Sequence, residues 1–137
     1  MTIPIPESHI DLIASPYSAI LTTVMPNGQP QSTVVWCNFD GSHVLVNTMR
    51  GFQKEKNMHR NPKVTLFAFD PRIPLHNVEI RGKVVEMTEV GAAEHNDALT
   101  MLYLGKPRFF GDAVPADLKQ RFTPVICKVA PTRVRVE

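Results

Sequence analysis

The chain has 137 residues, 43% hydrophobic and 20% charged, with net charge +2 and mean hydropathy −0.11. That is room for one domain around one core, residues 1–137, and too apolar for a mostly disordered chain. No apolar run approaches the roughly 20 residues that span a bilayer; two isolated cysteines exclude a disulfide scaffold or CxxC zinc site; +2 is too little charge to mark a nucleic-acid binder.

The N-terminal stretch MTIPIPESHIDLIASP lacks a basic lead and carries Glu7 and Asp11, unlike a secretory signal, so a cytoplasmic location is expected. Proline and glycine divide the chain into short elements. A short helical stretch opens at Pro6-Glu7 and ends at Pro16. Residues 18–25 and 31–38 read as strands joined through Asn27-Gly28, a hairpin signal, and Asp40-Gly41 leads into a third strand at 43–48. These three predict an antiparallel meander. Residues 52–60 lack glycine and proline and hold Gln53, Lys54, Glu55, Lys56 and Met58, which predicts a helix closed by Asn61-Pro62.

Residues 64–69 form a fourth strand. Over 76–87, Val78, Ile80 and Val84 alternate with Asn77, Glu79, Arg81 and Lys83, the pattern of a long half-buried strand with Gly82 at a bulge or close approach. A second helix is expected at 89–104, a Gly/Pro-rich loop around Phe109-Phe110, a polar helical turn at 116–121, and strands at 125–130 and 133–136. Phe109 and Phe110 either pin that loop or cap a pocket. The sum is a mainly β fold of six to seven antiparallel strands with two or three helices, which closes most easily into a small barrel.

The charge is concentrated. Between Arg50 and Lys63 lie five bases and one acid, a local +4 in a chain whose total is +2. The N-terminal turn of the helix at 52–60 offers unpaired backbone N–H groups and the positive end of its dipole. Asn47, Thr48, Arg50 and Gly51 precede it and Lys54 lies within its first turn, a combination suited to a phosphate. The competing reading is a solvated basic helix face. Nucleic-acid binding fits less well, because only Phe52 offers a stacking ring within the patch.

Other chemistry is poorly supported. The five histidines lack metal-ligand spacing, so no metal is expected. GxSxG, GxGxxG and GxxxxGK[ST] are absent, and Cys37 and Cys127 sit in apolar runs as inert thiols. No side chain stands out as catalytic; any reaction would be carried by a cofactor.

The segments MPNGQPQ (25–31), VVW (34–36) and DG (40–41), then VLVNTMRGFQKEKNMHRNPKV (44–64) and VEIRGKV (78–84), resemble in order and spacing the pyridoxamine 5′-phosphate oxidase-like split-barrel flavoproteins, in particular the branch using the deazaflavin F420. The resemblance implies a homodimer of split β-barrels with cofactor sites at the subunit interface. It implies an oxidoreductase in which F420 exchanges a hydride with a small organic substrate; FMN in its place, or a non-catalytic cofactor-binding protein, are the alternatives. Lys54 would hold the cofactor phosphate, with Asn47, Thr48, Arg50, Gln53 and Asn57 nearby. The strand Ser32, Thr33, Val34, Val35, Trp36 would lie along the ring, and the neighbouring subunit would add His76 and Asn77. Phe52 stands where deazaflavin-type members often carry a base. Trp36 reads equally well as a core aromatic on a half-buried strand.

Overall fold

The computed structural model describes residues 2–137. A helical turn at Glu7–His9 and the short α1 (Asp11–Ala14) lead into β1 (Ala19–Val24), β2 (Pro30–Val35), β3 (Cys37–Phe39) and β4 (Val44–Met49). The chain continues through α2 (Gln53–Arg60), β5 (Lys63–Asp70), β6 (Ile73–Thr88), α3 (Ala92–Leu104), turns at Phe109–Ala113 and Ala116–Gln120, and β7 (Pro124–Val136). No described helix is long and apolar enough to cross a membrane.

All seven strands lie in one antiparallel sheet ordered β2-β1-β5-β6-β7-β4-β3. Its two edge strands, β2 and β3, are consecutive in sequence and separated only by Trp36. One residue spans about 3.5 Å, so the sheet must curl until its edges meet at Trp36. The result is the expected barrel, left open along that seam.

This corrects the predicted meander. The run 31–38 breaks at Trp36 into two strands with different partners: β2 pairs with β1, while β3 pairs with β4. The two hairpins therefore begin and end the sheet instead of lying side by side. The C-terminal strands merge into β7, because Pro131 falls opposite Gly82 where the β6–β7 register shifts, a position that tolerates a missing N–H.

Alternation fills the interior. On β5, Val64, Leu66 and Ala68 point inward, and they meet Leu21, Val44, Val46, Ile80, Val125 and Val129 in one core. Gly82 is required for close approach: a Cβ there would lie 2.6 Å from the Ala130 carbonyl oxygen and 2.8 Å from Val129 Cγ1.

Helix α2 is fastened across the first hairpin by Asn57, which is fully buried. Its Nδ2 donates to Thr23 Oγ1 at 3.0 Å and Gln31 Oε1 at 3.2 Å, while its Oδ1 accepts from Gln53 Nε2 at 2.8 Å and Arg60 Nη2 at 3.2 Å. Met58 adds its side chain to the core.

Candidate functional site

The basic junction is built by a turn between β4 and α2. Gly51 makes it with φ +91°, a conformation glycine adopts without strain. Glu55 then ties the turn down: Oε1 accepts from the Gly51 N–H at 2.8 Å and Oε2 from Arg50 Nη1 at 2.8 Å, with His59 also paired to Oε2. Burial raises the carboxyl pKa of Glu55, but the Gly51 N–H, the guanidinium and His59 outweigh it and hold the group below the usual carboxylate range. Arg50 also donates to Glu89 Oε2 through Nε and Nη2, at 3.1 and 2.9 Å. Its charge is committed to two carboxylates, so it braces the turn and is not free for an anion.

Lys54 is different. It is half-buried and its ammonium has no hydrogen-bond or ion-pair partner among the described residues; burial pushes its pKa down. The neighbouring Cys127 thiol is itself pushed up to about 12 by burial and supplies no counter-charge. Nor does any side chain cap the N-terminus of α2, so its first N–H groups keep their capacity to bind an anion.

Lys54 lines a cavity of about 220 Å³. Strand β2 and the seam contribute Val34, Val35 and Trp36; β4 contributes Asn47, Thr48 and Met49; Phe52 flanks Lys54; Asn96 and Leu99 come from α3, and Phe109 closes one side. Trp36 is a fixed wall, stacked on Tyr103 (5.0 Å between centroids, 13° between planes), with Phe109 edge-on at 6.4 Å. The Tyr103 hydroxyl accepts from the Cys37 N–H at 3.0 Å and donates to the Tyr17 carbonyl at 2.8 Å, which anchors the stack at the seam.

Three buried polar atoms on this lining lack a partner: Asn47 Oδ1, Thr48 Oγ1 and Asn96 Nδ2. A buried polar group left unpaired costs about 1–3 kcal/mol, so three in one cavity with an unpaired ammonium are the mark of a site that a ligand completes. A hydroxyl, a cation and open helix N–H groups suit a phosphate; the amide groups and apolar walls suit the uncharged part of the same molecule. A phosphate-bearing flavin or deazaflavin fits this donor set.

Of the residues expected at the site, Val34, Val35, Trp36, Asn47, Thr48 and Lys54 line the cavity. Ser32 points outward and shares a hydrogen bond with Thr22 at 2.8 Å, while Thr33 points inward with its hydroxyl unpaired. Gln53 and Asn57 bond each other, and the Asn57 amide has its donors and acceptor engaged within the chain, where it clamps α2 to the first hairpin. His76 and Asn77 lie away from this cavity: His76 Nε2 meets the Asp11 carboxylate at 3.2 Å and Asn77 pairs with Glu137 through the backbone. Asn96 and Leu99 are not marked by the sequence. They are three apart on one face of α3, where the apolar repeat is too irregular to mark which side is buried.

The family profile described as pyridoxamine 5′-phosphate oxidase matches residues 5–136. Among solved structures, an F420 reductase is 29% identical, with a TM-score of 0.80 over 96% of this chain and 98% of that one. A conserved hypothetical protein of Mycobacterium tuberculosis is 23% identical (TM-score 0.73, 98% and 84% covered), and General Stress Protein 26 of Bacillus anthracis is 18% identical (TM-score 0.66, 93% and 89% covered); these two share the fold. No curated protein matches the chain. With the profile spanning nearly the whole sequence, the chain belongs to the pyridoxamine 5′-phosphate oxidase family.

Proposed function

We infer that this protein is an oxidoreductase that binds F420 in the cavity beside Lys54 and exchanges a hydride between it and a small organic substrate. The carrying observation is the convergence of the unpaired Lys54 ammonium, the unpaired Thr48 hydroxyl and the uncapped start of α2 on one cavity. The F420 reductase, similar over 96% of the chain, favours the deazaflavin; the family's flavin-type cofactors keep FMN as the second reading.

When bound, the cofactor supplies a ring atom that accepts or releases hydride. The chain does the rest. Lys54 and Thr48 hold the phosphate; Asn47 Oδ1 offers an acceptor to polar groups further along. Val35, Leu99 and Phe109 exclude water from the inner end. Lys54 is the one ionisable side chain on the described lining, so the protein's contribution is binding and orientation.

At about 220 Å³ the cavity is smaller than the roughly 300–1,000 Å³ of typical ligand sites. It accommodates part of a tricyclic cofactor, and the outer edge of β2, with Val34 68% exposed, is open for the remainder. This supports a homodimer in which a second copy supplies the missing wall, with His76 and Asn77 as the expected contribution. Absorption spectra of the purified protein titrated with F420 and with FMN test the assignment, paired with sedimentation for the dimer. Saturable binding of F420 in preference to FMN, followed by oxidation of reduced F420 by an enone or quinone, is the expected result; binding without turnover would reduce the function to cofactor carriage.

A further inference from the structure

Asn96 and Phe109 belong to two cavities at once. Beyond them lies a second space of about 370 Å³, between α3, the Phe109–Ala113 turn and the start of β7. Its walls are phenyl rings: Phe109 and Phe110 meet edge-on at 5.1 Å, and Phe122 packs edge-on at 5.5 Å against Phe52, which lines the first cavity. Arg108 and Lys119, both exposed, carry the positive charge of this lining. Lys119 has no ion-pair partner among the described residues, and Arg108 has only Asp112, at 3.7 Å. The lining's acid, Asp97, already accepts from the Phe109 N–H at 2.8 Å. At the shared wall Asn96 is 4% exposed with Nδ2 unpaired, a donor waiting for an acceptor.

We propose that this second cavity binds the organic substrate, and that the substrate is an aromatic carboxylic acid bearing a carbonyl group. The ring stacks among Phe109, Phe110 and Phe122. The carboxylate pairs with Lys119 and Arg108, and the carbonyl accepts from Asn96 Nδ2, which sets that end against the first cavity. The inference rests on the cofactor occupying the first cavity.

The test uses 4-benzoylbenzoate, an aromatic keto acid whose benzophenone group also crosslinks under light. Calorimetric titration into the full protein, with and without saturating F420 or FMN, is compared with its neutral methyl ester. The acid is expected to bind about fivefold more tightly than the ester, and R108Q/K119Q is expected to erase that preference. N96L is expected to weaken acid and ester alike, and irradiation is expected to label residues within 108–124. Equal affinity for acid and ester, labelling elsewhere, or displacement of the probe by the cofactor would overturn the assignment. If neither F420 nor FMN binds, the cofactor reading falls and the substrate role falls with it, while a persisting charge preference and label would keep this cavity only as a binding site for an aromatic acid.

Discussion

Asn47 and His95 fix each other's orientation. Asn47 Nδ2 donates to His95 Nδ1 at 3.1 Å and to the Ala92 carbonyl at 2.9 Å, which leaves Oδ1 as its group for a ligand. His95 Nε2 in turn donates to Asn38 Oδ1 at 2.9 Å, so the ring is a neutral Nε2–H tautomer. Burial lowers its pKa.

That arrangement makes the site sensitive to acid. The unfolded chain takes up a proton on this histidine near its ordinary pKa of about 6.5, before the folded chain does. Stability is therefore full above that pH and declines as pH falls below it. Protonation also turns Nδ1 into a donor facing the Asn47 amide. Urea midpoints at about pH 7.5 and about pH 5.5 should show the decline, with a flatter profile in His95→Gln. An equally steep profile in the variant would assign the effect to another group.

Asn57 is a fastener whose loss should be felt in stability. Asn57→Ala removes the bonds to Thr23 and Gln31 and takes its acceptor from Gln53, while Arg60 keeps the Val24 carbonyl. Denaturant unfolding should show a loss of about 2–4 kcal/mol. A loss within experimental error would mean α2 is held by Met58 and the backbone alone.

Arg50 and Lys54 are close in sequence and should behave differently on substitution. Arg50→Met leaves Glu55, 4% exposed, without its guanidinium, and should cost about 1–3 kcal/mol of stability. Cofactor affinity should change by less than about threefold, measured by the same titration used for the wild type. A larger loss of affinity than of stability would restore Arg50 as a phosphate contact.

Gly82→Ala forces a methyl group to within 2.6 Å of the Ala130 carbonyl oxygen. Overpacking of this kind costs about 1–3 kcal/mol, and thermal melting should show it. An unchanged melting temperature would mean the β6–β7 ladder gives way at its register shift.

The local elements are legible where the chain punctuates itself. Asn27-Gly28 marks the first hairpin, the alternation over 76–87 marks β6, and Gly82 marks the close approach to β7. The basic junction is legible because its charge is local. The break at Trp36 is not, since the β-forming run 31–38 carries no glycine or proline to divide it; only the pairing of β2 and β3 with different partners does so. Arg50 reads as a phosphate contact in the sequence because its partner Glu89 is 39 residues away. Asn96 is invisible for a related reason: a single asparagine in a helix says nothing about the cavity its amide faces.

The central claim is that the Lys54 ammonium holds an anionic cofactor group. Fluorescence titration of F420 and of FMN against the wild type and Lys54→Ala tests it most directly. A charge-assisted contact contributes about 1.5–3 kcal/mol, so the variant should bind the preferred cofactor at least about tenfold more weakly with its stability unchanged. Equal affinity in wild type and variant, for both cofactors, would contradict it.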